Sequence, residues 1–199
     1  CPQSSNSILL FNVKDPENVP VTAQIHIQGI DGSTVSIPST GTGPIIIQGT
    51  ADIWATKIIT DSVLELIKGI TTRDIIAIRK HILGQTLIPN PYYRIAADVN
   101  HSHTITTADI VEIRKVILGI SNHFTNNNSW RFISGDYVFT SNTPESEDYA
   151  EVIQVQNSID RLIEFIGVKT GDVNGTYNQF RNSTANSRSE QEHLTMLYK

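Results

Sequence analysis

An internal repeat is the feature that most constrains how this chain can fold. Residues 69–84, GITTRDIIAIRKHILG, and residues 104–119, TITTADIVEIRKVILG, are identical at eleven of sixteen positions at an offset of 35. Such agreement indicates a duplicated supersecondary unit. In each copy a Thr-x-x-Asp capping box precedes isoleucines at helical spacing, and a glycine follows them. We therefore expect two equivalent helices that pack antiparallel through Ile75, Ile78, Ile82, Ile110, Ile113 and Ile117.

The segment before the second helix has the ligand spacing of a calcium-binding loop. Residues 98–109, DVNHSHTITTAD, place oxygen-bearing groups at positions 1, 3, 5, 7, 9 and 12 of a twelve-residue EF-hand loop. Ca²⁺ is a hard cation that takes about six to eight oxygens, and alternate positions of a tight loop direct their oxygens to one centre. The spacing predicts one Ca²⁺ site formed by Asp98, Asn100, Ser102, the Thr104 carbonyl, Thr106 and Asp109.

Two positions of this loop depart from the usual pattern. His103 stands at position 6, where glycine is usual, although His is one of the few other residues that adopt a positive φ. Asp109 replaces the usual bidentate Glu at position 12. One alternative is an N-capped helix after a simple turn. Another is zinc bound by His101 and His103, although even positions of the loop direct side chains outward.

The pattern DVNxSxxITTADxVxIRKxILG resembles a dockerin repeat. Over residues 55–176 the order of motifs is also similar to that of surface proteins of Bacteroidota. The resemblance implies two calcium-loop-helix units that bind a cohesin-like partner. It also implies that loop positions 10 and 11, together with a basic pair on each helix, contact this partner. Basic residues near a helix C-terminus also complement the helix dipole, which is the alternative role for these pairs. The matching positions here are Thr72, Arg73, Arg79, Lys80, Thr107, Ala108, Arg114 and Lys115.

The first copy of the repeat lacks the beginning of such a loop. Counting back from Asp74 as position 12, only Glu65 offers a side-chain oxygen among positions 1, 3 and 5. The motif GDVNG at residues 171–175 matches a loop opening that no helix follows. A composite second Ca²⁺ site is therefore one interpretation, with Asp172 and Asn174 opening it and Asp74 closing it, or with Asp61 and Glu65 contributing. A plain β-turn at residues 174–175 is the other.

Short β-branched segments separated by turn residues flank the repeat, and they predict strands. We expect an α+β fold with an N-terminal β-sandwich-like domain (residues 1–60) and a dockerin-like helix pair with its calcium loop (61–125). A C-terminal β segment ending in GDVNG (126–178) and a linker with a terminal tail (179–199) follow. The returning strands are predicted at 129–133, 136–139, 150–156 and 161–175. The expected large core residues are Trp54, Trp130, Phe132, Phe139 and Phe165.

Composition excludes several classes of function. Fifteen Lys and Arg against twenty Asp and Glu give a net charge of -5, so no basic surface for nucleic acid is expected. No apolar run approaches the roughly 20 residues of a transmembrane helix. The common catalytic motifs are absent, which favours a non-enzymatic protein. Abundant Ser, Thr and Asn suggest an extracellular or cell-surface location, with glycosylation at N-x-[ST] sequons as a further expectation.

Two functional hypotheses follow from these features. The first is a self-assembling homopolymer, a fibre or surface-layer type subunit stabilised by calcium, in which a terminal strand completes a neighbouring copy. The donor would be the tail, with Leu194, Met196 and Tyr198 on one side, or the N-terminal segment at residues 8–13. In that segment one face is predicted to carry Ile8, Leu10 and Asn12 and the other Leu9, Phe11 and Val13. The second is a docking module that binds a cohesin-like receptor and anchors a partner activity at the cell surface.

Overall fold

The computed structural model describes residues 7–39, 45–47, 50–57, 62–155 and 161–177, and this part of the chain has an α+β fold. Two four-stranded sheets and four α-helices account for most of it. The strands are β1 Ser7–Lys14, β2 Ala23–Gly29, β3 Thr34–Pro38, β4 Ile45–Ile47, β5 Ala51–Lys57, β6 Trp130–Ser134, β7 Ile153–Val155 and β8 Arg161–Lys169. The helices are α1 Ser62–Ile67, α2 Thr72–Ile82, α3 Pro91–Ala97 and α4 Thr107–Ile117, with a short 3-10 helix at Pro144–Ser146.

Strands from both ends of the chain pair in both sheets. The first sheet has the order β4-β1-β8-β6 and the second has the order β3-β2-β5-β7. β1 runs parallel to β8, with Leu9 opposite Arg161, and the other pairs are antiparallel. The described strands of the predicted 1–60 domain (β1–β5) and of the predicted 126–178 segment (β6–β8) therefore form the same two sheets. The N-terminal segment that was a candidate strand donor lies between β4 and β8 of its own sheet.

The inward faces of the two sheets form one apolar cluster. In β1, Leu9 and Val13 are buried, whereas Ile8 and Leu10 are exposed, so the predicted alternation is confirmed. β2 and β5 contribute Ile25 and Ile53 to the same cluster. Because fully burying such a side chain stabilises a fold by roughly 1.5–3 kcal/mol, this cluster holds the two sheets together.

The first sheet lies between the second sheet and the helices. Ile163 and Phe165 of β8 belong to the cluster between the sheets, whereas Val168 belongs to the cluster formed with the helices. Ile133 of β6 also packs on the helix side. A strand covered on both faces must be apolar on both, which explains the nearly continuous apolar run of β8.

The two repeated helices begin where the sequence predicts. Thr71 and Thr106 each form a complete capping box, with Asp74 and Asp109 respectively. Ile78 and Ile113 occupy equivalent positions and are fully buried in the helix-side cluster. Ile110 is buried, and Ile75 and Ile82 pack on that cluster while partly exposed.

The prediction that Ile117 belongs to the helix interface is wrong. Its side chain is 38% exposed, and Val116 takes the buried position in the last turn of α4. The equivalent of Val116 in α2 is His81, whose Nδ1 accepts a hydrogen bond from Ile88 N. The last turns of the two helices therefore pack differently despite the repeat.

Three parts of the secondary structure differ from expectation. Helices α1 and α3 were not predicted, and residues 136–139 do not form a strand. Tyr137 and Phe139 instead make edge-on ring contacts, and Phe139 also meets Tyr92 of α3. The Tyr137 hydroxyl donates to Glu147, which holds this segment in its irregular path.

The expected large core residues divide into two groups. Trp130, Phe132 and Phe165 are buried, whereas Phe139 is partly exposed at the helix-side cluster. Trp54 lies on the outward face of the second sheet, where its ring stacks on His26. No described helix is long and apolar enough to cross a membrane.

Candidate metal centre

The loop between α3 and α4 follows the twelve-residue pattern closely. Asp98 is the C-cap of α3 and Thr106 is the N-cap of α4, so helix ends fix both sides of the loop. His101 and His103 adopt φ values of 53° and 62°. The prediction that a His at position 6 takes a positive φ is therefore confirmed. We call residues 98–109 the continuous loop.

Backbone amides hold the acidic group at position 1 of the continuous loop. Asp98 Oδ1 accepts from Ser102 N at 2.8 Å, and Asp98 Oδ2 accepts from His103 N at 2.8 Å. Asn100 Oδ1 also accepts from Ser102 N, at 3.1 Å. The Ser102 hydroxyl donates to the Thr104 carbonyl at 3.2 Å. The oxygens of positions 1, 3, 5 and 7 are thus linked by short contacts.

Asp109 closes the loop from the first turn of α4. Its Oδ1 accepts from Asn100 N at 3.1 Å and its Oδ2 accepts from Thr106 N at 2.8 Å. Asp98 and Asp109 are almost fully buried. Burial raises the pKa of both carboxyls, and the charge of Asp98 raises the pKa of Asp109 further. The loop therefore buries two carboxylates that repel each other.

A second cluster of oxygens forms where the chain leaves β8. Asp172 Oδ1 accepts from Thr176 N at 3.1 Å, and Asp172 Oδ2 accepts from Tyr177 N at 2.7 Å. Asn174 Oδ1 accepts from the same Thr176 N at 3.2 Å. These contacts reproduce those at positions 1, 3, 5 and 6 of the continuous loop. Gly175 has a φ of 70° at position 4, where the continuous loop has His101.

Helix α2 supplies the remaining oxygens of this second cluster. Asp74 Oδ2 accepts from Thr71 N at 2.8 Å, and Asp74 Oδ1 accepts from Val173 N at 2.9 Å. The Thr176 hydroxyl donates to the Gly69 carbonyl at 2.7 Å. Gly69, Thr71 and Asp74 are the offset-35 equivalents of positions 7, 9 and 12. We call residues 172–176 together with residues 69–74 the split cluster.

Gly69 allows the two halves of the split cluster to approach. It has a φ of 81°, and a Cβ built on it would lie 2.8 Å from both Asp172 Oδ2 and Tyr177 Cα. Contacts this short to backbone cannot be relieved by rotating a side chain. Gly69 and Thr176 were not among the predicted site residues, although aligning GDVNGT with the continuous loop would have identified Thr176 at position 5.

The electrostatics of the split cluster also match those of the continuous loop. Asp74 and Asp172 are almost fully buried, and neither forms an ion pair within the described residues. Burial, with a contribution from the charge of Asp172, raises the pKa of Asp74 to about 6. Burial likewise raises the pKa of Asp172. Two buried carboxylates without a cationic partner are costly unless they bind a cation.

Each cluster therefore fits a hard divalent cation. It combines two carboxylates with amide, hydroxyl and carbonyl oxygens, the donor set that Ca²⁺ accepts. Within the described ranges, no group of three or more His, Cys, Asp or Glu side chains converges. The rings of His101 and His103 lie 4.8 Å apart, and His103 is exposed.

The other candidate acidic residues have different positions. Glu65 Oε1 accepts from the Tyr177 hydroxyl at 2.7 Å and from Trp130 Nε1 at 3.3 Å. No hydrogen bond joins Glu65 to Asp74 or Asp172 in the described part of the chain. Asp61 lies outside the described residues, as do Leu194, Met196 and Tyr198.

The residues that the dockerin resemblance assigns to a partner lie on the surfaces of α2 and α4. Lys115 is half-buried and forms an ion pair with Glu112. The other seven are exposed or partly exposed: Thr72, Arg73, Arg79, Lys80, Thr107, Ala108 and Arg114.

Comparison of the chain with protein-family models, with curated proteins and with solved structures finds no match.

Proposed function

We propose that this protein is a calcium-stabilised, non-enzymatic structural subunit that works outside the cell and assembles with copies of itself. One observation carries the calcium part: the split cluster has the same oxygen-bearing groups as the continuous loop at positions 1, 3, 5, 7, 9 and 12. In both, the Asp at position 1 and the Asn at position 3 accept hydrogen bonds from the same backbone positions. The continuous loop links α3 to α4, whereas the split cluster links the segment after β8 to α2. Two ions would therefore stabilise the helix pair and attach the C-terminal strand to it.

Two neighbouring contacts support this stabilising role. Gly171 N donates to the Ala96 carbonyl at 2.9 Å, and the buried Lys169 ammonium donates to the Leu66 carbonyl at 2.9 Å. The end of β8 is thus tied to α1 and α3, and the split cluster adds α2. A ligand that binds only the folded state stabilises it, so ions at this junction would stabilise both layers together.

Calcium titration of the chelator-treated full chain tests the proposal. We expect calorimetry to give two sites and the melting temperature to rise with calcium. Asp109→Asn should remove the continuous-loop site, and Asp74→Asn should remove the split site, each leaving one. Asp136→Asn, outside both clusters, is the matched control and should keep both sites. No change in melting temperature at millimolar calcium would contradict the proposal.

Self-assembly is tested separately by sedimentation of the full chain with and without calcium. We expect species larger than a monomer at micromolar concentration. A monomer under both conditions would contradict this part of the proposal and leave the calcium sites unaffected.

A docking module for a cohesin-like receptor is the second candidate function. Its support is a duplicated exposed surface on α2 and α4: Ile76 and Val111 are 53% and 48% exposed, and Leu83 and Leu118 are 56% and 70% exposed. Each pair is related by the offset of 35. Arg79 and Arg114 border a shallow cavity of about 320 Å³ between the helices, lined also by Ile82, Leu83, Thr107, Ile110 and Val111.

Binding to an immobilised cohesin domain distinguishes the two functions. If the chain is a docking module, Arg79→Glu with Arg114→Glu should abolish binding. Arg161→Glu, an exposed arginine in β8, serves as the control. Absence of binding by the unaltered chain would favour the structural subunit.

A further inference from the structure

The second sheet has an open edge along part of β5. β2 pairs with β5 along its whole length, but β7 pairs only with residues 51–53. Within the described residues, the rest of β5, residues 54–57, therefore has a sheet neighbour on one side only. Such an edge presents backbone donors and acceptors to any extended segment.

A groove of about 460 Å³ runs along this open edge. It lies between β5 and the start of β6. Residues 150–152 connect the two strands beyond the groove, because Ser134 N at the end of β6 donates to the Ala150 carbonyl and Ile153 of β7 pairs with Ile53 of β5. Lining residues include Trp54, Ala55, Thr56, Trp130, Phe132 and Val152. Ala55, Trp130 and Phe132 also belong to the cluster between the sheets. The groove thus borders the hydrophobic core next to the unpaired edge of β5. Its exposed lining includes Thr56 and Val152, whereas Ala55, Trp130 and Phe132 are buried.

The sequence of residues 193–199 is suited to binding in such a groove as an extended strand. In HLTMLYK, residues 193–199, apolar Leu194, Met196 and Tyr198 alternate with His193, Thr195, Leu197 and Lys199, of which only Leu197 is apolar. An extended strand would direct these three toward the core and the others outward. This segment lies outside the described residues, and only its sequence and length enter the argument.

The connecting segment is long enough to reach a groove on another copy. The described chain ends at Tyr177, whose ring meets Trp130 edge-on at 4.8 Å, and Trp130 lines the groove. A return to the same groove needs only a few residues. The fifteen residues 178–192 can span up to roughly 50 Å, compared with about 40 Å for the diameter of a domain of this size. A spacer of this length suits a bridge to a neighbouring subunit.

We propose that the groove beside β5 is the acceptor site of the assembly and that residues 193–199 of a second copy occupy it as an added strand. This inference rests on the proposed self-assembly and names the surface that performs it. The donor and acceptor surfaces of one copy differ, so each copy can give one strand and receive another. Head-to-tail contacts of this kind produce an open filament.

Disulfide trapping between two differently tagged full-length chains tests the site. The single cysteine, Cys1, is first replaced by serine in both. One chain carries Thr56→Cys on the outward face of β5, and the other carries Thr195→Cys in the tail. We expect oxidation to join the two chains roughly tenfold more than when Thr34→Cys replaces Thr56→Cys. Thr34 is exposed on β3, at the opposite edge of the same sheet, and is the matched control.

A second measurement uses fluorescence. The only two tryptophans, Trp54 and Trp130, both line the groove. Leu194→Ser with Met196→Ser in the full chain should abolish the cross-link and shift tryptophan emission to longer wavelength. An unchanged cross-link in that variant would overturn the proposal.

The remaining outcomes distinguish a failure of the proposed acceptor site from a failure of the proposed self-assembly. Assembly by sedimentation with no cross-link above the control would overturn the acceptor site and leave self-assembly standing. A cross-link formed only within one chain, in the Thr56→Cys, Thr195→Cys double variant, would show that the strand returns to its own groove and would overturn the second-copy assignment.

Discussion

The continuous loop and the split cluster present the same set of oxygens but assemble it in different ways. In the continuous loop, Asn100 N and its acceptor Asp109 are nine residues apart. In the split cluster, Val173 N and its acceptor Asp74 are 99 residues apart. By loop-closure entropy alone, bringing the more distant pair together costs about 2 kcal/mol more. The rest of the fold must supply this, so the split cluster depends on tertiary structure.

This difference assigns distinct roles to the two sites. The continuous loop needs only α3, α4 and the turn between them, so it can form while other parts of the chain are open. The split cluster exists only when the end of β8 is docked on α2. An ion bound there would stabilise the complete fold specifically, since a ligand stabilises only the states that contain its site.

The largest expected effect comes from the helices that carry the two clusters. Ile78 and Ile113 are equivalent in the repeat and are both fully buried. Truncating either to Ala should lower the free energy of unfolding by about 2–5 kcal/mol, because it leaves a cavity. The exposed equivalents Ile76 and Val111 are the controls and should cost less than about 0.5 kcal/mol.

Urea denaturation at saturating calcium measures these changes. If Ile78→Ala lowered the free energy of unfolding as little as the exposed controls do, while Ile113→Ala lowered it by the full expected amount, the two helices would not be structurally equivalent.

Gly69 offers a way to break the split cluster alone. Gly69→Ala places a Cβ against Asp172 and Tyr177 in addition to the strain of a positive φ, so we expect a loss of roughly 2–4 kcal/mol. Gly84 also has a positive φ, of 65°, but apart from the adjoining residues no heavy atom lies within 4 Å of the position that a Cβ would take there. Gly84→Ala should therefore cost only about 1–2 kcal/mol.

Calorimetric calcium titration completes this test. Gly69→Ala should retain one site and Gly84→Ala should retain two. Two sites of unchanged affinity in Gly69→Ala would mean that the approach of the 172–176 segment to Gly69 does not matter for binding.

The sequence was informative where contacts are local. Thr71 with Asp74, and Thr106 with Asp109, lie three residues apart, so the capping boxes and the starts of both helices were predictable. The alternation of Leu9 and Val13 with Ile8 and Leu10 was equally readable. Each of these features depends on neighbours within one turn or one strand.

The sequence was uninformative where contacts are distant. The parallel pairing of β1 with β8 joins the two ends of the described chain, and no local pattern specifies it. The Gly69 carbonyl became part of the split cluster only when the fold placed Thr176 beside it. Residues 136–139 had the aromatic and β-branched composition of a strand, but the contact of Phe139 with Tyr92 of α3 gives this segment another path.

The pH dependence of the calcium-free protein tests the electrostatic side of the comparison. The folded-state pKa of Asp74, about 6, lies above its usual value of 3.8. Folding therefore favours the protonated Asp74 carboxyl, so the free energy of unfolding increases as the pH falls through 6 and decreases as the pH rises. For Asp74 alone, lowering the pH from 7.5 to 5 should stabilise the fold by about 1 kcal/mol.

Thermal melts in chelator measure this difference, with Asp74→Asn as the reference because Asn does not titrate. The unaltered protein should gain more stability than Asp74→Asn on acidification. In saturating calcium the gain should vanish, since the ion requires ionised carboxylates. Equal gains for both chains in chelator would contradict the raised pKa of Asp74.

The smallest expected effect is a difference in stability between variants at position 5 of the two clusters. Thr176 is buried and its hydroxyl bonds across the fold to Gly69, whereas Ser102 is exposed and its hydroxyl bonds within its own loop. In calcium-free protein, Thr176→Ala should cost roughly 0.5–1.5 kcal/mol, because it leaves a buried carbonyl without this donor. Ser102→Ala should cost less, since water can replace its hydroxyl. With calcium present, both variants should lose affinity at their own site, because each removes one hard oxygen. Equal costs for the two variants without calcium would show that the split cluster does not link distant segments more strongly than the continuous loop links neighbouring ones.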